Sequence, residues 1–271
     1  MKKIIALLMA LSMFFCFVGC TAADTNSKAD GAAKILVAEK ESAGEGVATT
    51  EEEFKDYSYT AVDTQAKALM EVSAGTADAA IVDYVMSIGS IGEGTDYANL
   101  AVEGTGYSEE QYGIAFRKGS DLTAKVNEII RELKTSGELA EIAKTYKLDG
   151  ILLGDKESDA FKEAETDSDY KYVTDKGELV IGITYFAPMN YQNDKGELVG
   201  FETEFAKAVC AKLGVKAVFQ EISWAAKETE LAAKNIDCIW NGMTITPERE
   251  SAMSISIPYM QNKQVKVVKA K

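Results

Sequence analysis

The sequence predicts an α/β fold: largely parallel sheet, covered by helices on both faces. Two observations carry this. After residue 33, short apolar and β-branched runs alternate with segments of helical periodicity along nearly the whole chain. Parallel strands need crossover connections, which the intervening helices supply, and such a sheet is buried on both sides. The second is size. Of 271 residues, about 250 remain once the N-terminal apolar run is set aside, enough for two small lobes with a core each.

Residues 1–20 (MKKIIALLMALSMFFCFVGC) are two lysines, an apolar run and a small residue before cysteine. That is the pattern of a secretory signal rather than a fold element. Phe17-Val18-Gly19-Cys20 resembles a lipoprotein cleavage box, with Cys20 as the lipidated residue that holds the mature chain on the bilayer. An uncleaved membrane anchor is the alternative, since the run is nearly long enough to span. Residues 21–33 are small and polar, a flexible tether.

Strands then follow at 35–39 (ILVAE), 57–62 (YSYTAV), 78–82 (DAAIV) and 99–103 (NLAVE), with helices expected near 43–55, 64–74 and 83–89. A strand at 112–116 (YGIAF) precedes helices at about 121–135 and 137–147. In the first of these, Leu122, Val126, Ile129, Ile130 and Leu133 fall at helical spacing. From Asp155 to Asp169 the chain is strongly acidic with little apolar period, as a linker or a solvated surface helix would be. LVIGIT (179–184) is a strand, and NDKGE (193–197) a hairpin turn with glycine where φ is positive. FETEFAKAVCAKLG is a helix closed by Gly214. A strand (KAVFQEI), a helix (AAKETELAAK) and a strand (IDCIW) follow, then a helix start with Thr246 as N-cap and Pro247 in the first turn. QVKVVKA (264–270) reads as a closing strand.

The formal net charge is −14, and loss of Lys2 and Lys3 with a signal peptide makes the mature chain more acidic still. Such a chain is repelled by nucleic acid and by anionic lipid. It contains no histidine, which removes histidine triads and histidine metal sites. No Gly-rich phosphate loop, paired CxxC or HExxH motif is present, so no cofactor or metal is expected. Cys210 and Cys238 fall on a helix and a strand and read as small buried hydrophobes; a disulfide between them is left open.

The strongest local signal is NGMTITPER (241–249), running from the carboxyl end of a buried strand into a helix, where α/β sheets bind ligands. Arg249 in the first helical turn opposes the helix dipole, a conflict that a bound anion removes through two parallel hydrogen bonds. A solvated Arg249 beside its neighbours Glu248 and Glu250 is the plain alternative. Asp83 ends a buried strand, where an unpaired carboxylate is costly unless a partner or an N-cap role satisfies it.

Residues 175–249 resemble the opening half of the first lobe of the polar amino-acid-binding proteins, the solute receptors of bacterial ABC importers. Residues 34–148, with AEKESAGE, SAGTADAAIVD and EEQYGIAFRKGSDLTAKVNEIIRELKTSGELAEIAKTYK, resemble that family's second half. The resemblance therefore implies a two-lobed periplasmic-binding-protein-like fold (type II), circularly permuted. Residues 34–109 plus 264–271 would form the family's second lobe and 110–263 its first. An acidic linker at about 149–175 would join the ancestral termini, and hinge crossings are expected near 107–112 and 259–264.

The resemblance also implies site roles. Arg249 and Thr244, with Ser42 and Ala43 at a helix N-terminus, would meet the ligand carboxylate. Asp83 and Gly242 would meet its ammonium. Phe186, Trp224 and Asn241 would line the side-chain pocket, with Thr184 and Glu41; Phe186 and Trp224 could equally be plain core. Glu41 stands where the family usually has glycine, and Ala43 where a hydroxyl is common. Thr184 lies where receptors for basic amino acids often place an aspartate, which argues against a strictly cationic ligand unless Glu41 compensates. The implied function is a monomeric, non-enzymatic extracytoplasmic receptor. It would capture a free α-amino acid and deliver it to an ABC permease from the outer face of the cytoplasmic membrane. A dehydratase acting on amino-acid-like acids and a surface amino-acid sensor are the alternatives.

Overall fold

A computed structural model of the protein describes residues 33–154 and 168–271. The signal, tether and Cys20 readings fall on residues 1–32, and most of the acidic run on 155–167, outside the described residues.

Strand β1 (Lys34–Glu39) pairs in parallel with β2 (Tyr57–Val62) on one side and β3 (Ala79–Asp83) on the other. The crossovers are α1 (Ala43–Thr50) and α2 (Gln65–Ala74). Each begins on a hydroxyl cap: Ser42 accepts from the Glu45 amide and Thr64 from the Lys67 amide. Gly75, at φ 83°, ends α2 in a conformation that glycine adopts without strain. Helix α1 stops at Thr50, earlier than the expected residue 55. The Thr49 and Thr50 hydroxyls bond back to the Glu45 and Gly46 carbonyls, competing for groups the helix would use. β3 is buried along its whole length and runs directly into α3 (Tyr84–Ser90); β4 (Leu100–Glu103) follows.

The rest of the chain forms the other part of the sheet. β5 (Glu109–Arg117) pairs antiparallel with β10 (Cys238–Thr244) and with the short β11 (Met253–Ile255). β10 is parallel to β6 (Glu178–Ile183), and β6 to β9 (Lys216–Glu221). Helices α4 (Leu122–Ser136), α5 (Glu138–Thr145) and α7 (Phe201–Leu213) pack on it, and α8 (Lys227–Ala232) and α9 (Pro247–Ala252) flank β10 in sequence. A two-residue hairpin, β7 (Tyr191–Gln192) with β8 (Leu198–Val199), carries the expected turn, with Gly196 at φ 76°.

One strand joins the two parts. In β12 (Met260–Lys269), Met260–Lys263 lie antiparallel to Tyr112–Glu109 of β5, whereas Gln264–Val267 lie antiparallel to Asp83–Ala80 of β3. The continuous order is β2-β1-β3-β12-β5-β10-β6-β9. Ala33–Lys271 packs as a single unit. Its largest apolar cluster includes Val82 and Val85 from one part and Tyr112, Phe205, Trp240 and Tyr259 from the other. Phe205 meets Trp240 edge-on at 4.9 Å. Cys210 and Cys238 are buried free thiols, which closes the disulfide alternative.

Two segments differ from the sequence reading. The stretch 169–176, expected within an acidic linker over about 149–175, is helix α6 (Asp169–Lys176). Asp169 is buried because Arg117 bonds it at 2.9 Å, the Tyr170 amide donates to Asp121, and Val173 enters the core. A residue that scores as solvated by charge alone is here an anchor. The other difference is at Asn241 and Gly242, which follow the expected strand IDCIW but lie inside β10. The strand continues through them with a register shift against β5 between Ile239 and Met243.

Candidate functional site

The carboxyl ends of β1, β3, β6 and β10 converge on one cleft. It is lined by Glu39, Ser42, Ala43, Gln65 and Asp83 from one part of the sheet, and by Thr184, Tyr185, Phe186, Trp224, Asn241, Gly242, Thr244 and Arg249 from the other. Apart from Cys20, every site residue expected from the sequence lies here except Glu41. Glu41 is exposed and lines an outer groove with Lys227 and Arg249. It is the backbone of Glu41, not its carboxylate, that meets the far wall. The Arg249 Nη2 and Lys227 Nζ groups each donate to the Glu41 carbonyl at 3.3 Å.

Arg249 is placed by its local sequence. Thr246 caps α9 by accepting from the Arg249 amide, and the guanidinium folds back so that Nη1 donates to the Thr244 carbonyl at 2.9 Å. Burial lowers its pKa, a cost that an opposite charge would offset. Thr244 turns its hydroxyl to Glu110, donating to Oε2 at 3.1 Å. Trp224 is 5% exposed, and Lys227 lies over its ring at 4.9 Å.

On the same wall, polar groups satisfy one another. The Thr184 hydroxyl donates to Asn241 Oδ1 at 2.6 Å, and Asn241 Nδ2 donates to the Thr184 carbonyl and to Asn190 Oδ1 at 2.9 Å each. Asn241 therefore fixes the wall from behind. Gly242 is required twice over: its φ is 58°, and a Cβ there would lie 2.5 Å from Phe186 Cε1. The ring of Phe186 rests on that glycine. The Gly242 amide donates to both carboxyl oxygens of Glu202, which the Tyr259 hydroxyl also bonds. Burial pushes the Glu202 carboxyl up to about 7.

The facing wall is charged. Asp83 occupies the N-cap position of α3 but its side chain makes no capping bond. Instead its carboxylate accepts from the amides of Gln65, Asn262 and Gln264, and burial still raises its pKa. The Asn262 and Gln264 amides donate to Glu110 as well, at 3.0 Å each, linking the paired strands β5 and β12 to the cleft floor. Burial, with Asp83 nearby, pushes Glu110 up to about 7. Glu39, at the end of β1, is pushed up to about 8 by burial and then by Asp83, partly offset by Lys227 and Gln65. Ser42 holds that turn, donating to the Glu39 carbonyl at 2.7 Å while capping α1.

The sequence reading misses Glu39, Gln65, Glu110, Glu202, Asn262 and Gln264. Glu39 carries a signal of its own, a carboxylate closing an apolar strand, the same argument that singles out Asp83. The others become neighbours only through long-range pairing. No cluster of described residues could hold a metal ion, and no described helix is long and apolar enough to cross a membrane.

Residues 179–271 match the family described as bacterial extracellular solute-binding proteins, family 3. The match covers about a third of the chain. The matched segment contains nearly all of β6, the whole of β10, Phe186, Trp224 and the 241–249 stretch, residues that line one wall of the cleft. The L-cystine-binding protein TcyJ of Escherichia coli (strain K12) is 36% identical over 88 residues, 32% of this chain and 33% of that protein. The histidine-binding periplasmic protein of the same strain is 34% identical over 71 residues, 26% of this chain and 27% of its own. A solved polar amino acid ABC uptake transporter substrate binding protein from Streptococcus thermophilus is 36% identical, covering 32% of this chain and 33% of that one, with a TM-score of 0.31. The chain thus spans about a third of the length of the curated relatives it matches.

Proposed function

We propose that the protein is an extracytoplasmic solute receptor that captures a free α-amino acid in this cleft and presents it to an ABC import permease. One observation carries the reading: Arg249 and Asp83, from opposite walls, line the same cleft. A zwitterion has the two charges that would satisfy them. Its carboxylate takes the guanidinium in a bidentate pair and its ammonium takes Asp83. The relatives' names, an L-cystine-binding and a histidine-binding protein, support that ligand class. Contacts across the cleft, from Arg249 and Lys227 to the Glu41 carbonyl, are those of a closed clamp.

The proposal extends to architecture. The two parts of the sheet act as two lobes, and the paired segments of β5 and β12 act as the hinge between them. The segment order is a circular permutation, supported by β12, at the end of the family segment, lying against β3. Cys20 anchors a monomer to the outer face of the membrane.

The test is to recover ligand from protein purified without denaturation, identify it by mass spectrometry and titrate it back by calorimetry. An intact α-amino acid bound at one site supports a receptor. A chemically converted product would favour the dehydratase alternative, and no bound amino acid with no titratable one would sink the reading.

A further inference from the structure

Glu39 is 4% exposed and lines the cleft, and its Oε1 has no hydrogen-bond partner among the described residues. Asp83 beside it differs: three side-chain amides already hold its carboxylate. A buried carboxyl oxygen left without a donor carries an uncompensated desolvation penalty, so its presence in a ligand cleft asks for a donor from the ligand. Trp224 Nε1 is the other buried cleft atom in this condition. It belongs to the carboxylate end, because Lys227 over the Trp224 ring shares the Glu41 carbonyl with Arg249.

We propose that Glu39 accepts a hydrogen bond from a positively charged side chain of the bound amino acid, making cationic α-amino acids the ligand class. This rests on the receptor reading above. The charge balance around the cleft supports it. Glu39 and Asp83 line it and Glu110 and Glu202 lie behind its lining, against Arg249 in the cleft and Lys227 in the outer groove. All four carboxyls are raised above their ordinary values. A zwitterion alters that balance by nothing, whereas a ligand with a second cation supplies the missing charge. Thr184 offers no charge, and both its hydroxyl and its carbonyl are taken by Asn241. The acidic reader therefore sits on the opposite wall, and it is Glu39 rather than Glu41.

The experiment is calorimetric titration of wild type and Glu39→Gln with L-arginine and with L-citrulline, its neutral isostere. Wild type should bind L-arginine at least tenfold more tightly than L-citrulline, and Glu39→Gln should bring that ratio close to one. An unchanged ratio in the variant, or a wild type that prefers L-citrulline, overturns the assignment. A second measurement needs no variant: wild type titrated with L-arginine at pH 7 in phosphate and in Tris. Glu39 faces Asp83, Lys227 and Gln65, and burial keeps it largely protonated at that pH, so pairing with a cation must release a proton. Apparent enthalpies that do not differ between the buffers would equally overturn the assignment. Binding of L-citrulline but not L-arginine leaves the receptor reading standing and removes only the role of Glu39; failure of any α-amino acid to bind removes the receptor reading itself.

Discussion

On the wall built from β6 and β10, Thr184, Asn241 and Asn190 bond one another, Glu202 receives the Gly242 amide, and Phe186 lies against a glycine that admits nothing larger. On the wall built from β1 and β3, Glu39 keeps an unbonded oxygen, and Asp83 is held in a ring of amides yet remains raised by burial. Apart from the indole N–H of Trp224, the first wall is closed upon itself and contributes shape, plus one cation at its rim. The second is charged beyond its internal supply of donors and contributes demand. Shape and demand on opposite walls mean that a ligand which satisfies the second must also draw it toward the first. Binding and closure would then be one event.

The sharpest way to break this contrast is to remove one charge from each wall. Arg249→Ala should weaken binding of the recovered ligand by about tenfold to a few hundredfold, since a charge-assisted contact is worth about 1.5–3 kcal/mol. Its thermal midpoint should stay within a few degrees of wild type, because Arg249 bonds only backbone carbonyls at the rim. Asp83→Asn should lose affinity and stability together. Gln65 Oε1 accepts from the Asp83 amide and Asn262 Oδ1 from the Val85 amide, so both donors are pinned toward position 83. An asparagine amide there would meet donors with a donor, at a cost of about 1–3 kcal/mol. Urea unfolding of the two variants side by side checks this; equal stability would show that the charged wall is less constrained than described.

Gly242→Ala attacks the shaped wall. It forces a non-glycine residue to φ 58° and drives a methyl group to 2.5 Å from Phe186. We expect about 1–3 kcal/mol of destabilisation and a weaker ligand complex, visible as lower urea and calorimetric midpoints. Phe186→Ala in the same background should restore part of the stability, because it removes the clash while leaving the backbone strain.

How far this site is legible in the sequence follows the range of the interactions that make it. Arg249, Thr246 and Pro247 act within one turn of chain, so spacing alone places them. Asp83 stands out because a carboxylate ending a buried run demands an explanation, and Glu39 ends one in the same way. Glu110, Asn262 and Gln264 meet Asp83 only because β12 crosses from β5 to β3, a pairing across more than half the chain that no local pattern encodes. The apolar run IDCIW marks the strand only as far as Trp240; tertiary pairing of Met243 and Thr244 with β5 carries it on through Asn241 and Gly242. Helix α6 is hidden by its charge, because Asp169 looks solvated until Arg117 is placed beside it.

The buried carboxyls make a smaller prediction about stability in the absence of ligand. Glu202 titrates near 7 when folded against an ordinary value of 4.5, so the folded chain holds a proton that the unfolded chain has lost between those values. Its contribution is fully present below about 4.5 and is lost as pH rises through about 7; a shift of this size corresponds to about 3 kcal/mol. Glu39 and Glu110 act in the same direction. The thermal midpoint should therefore fall between about pH 4.5 and 8, and Glu202→Gln should flatten that fall. The glutamine Oε1 can still accept from Tyr259 and Gly242, which both meet Oε1 in Glu202. A midpoint that rises with pH in wild type, or an equal slope in the variant, would count against buried protonated carboxyls.

The smallest effect is expected at Glu41, and it separates the two glutamates on the turn that leaves β1. Glu41 is exposed, its carboxylate lies outside the cleft, and its contribution across the gap is a backbone carbonyl shared by Arg249 and Lys227. Glu41→Gln keeps that carbonyl and should change affinity by less than about twofold, within the few tenths of a kcal/mol usual for surface substitutions. Glu41→Gly also keeps it, and it suits a residue at φ 60°, a conformation costly for any side chain but not for glycine. Both variants should bind like wild type, with Glu41→Gly no less stable. The same pair of titrations used for Glu39 reads the outcome directly. A tenfold loss in Glu41→Gln would mean that the exposed carboxylate reaches the ligand after all, and the division between a shaping wall and a charged wall set by Glu39 and Asp83 would have to be redrawn around the turn itself.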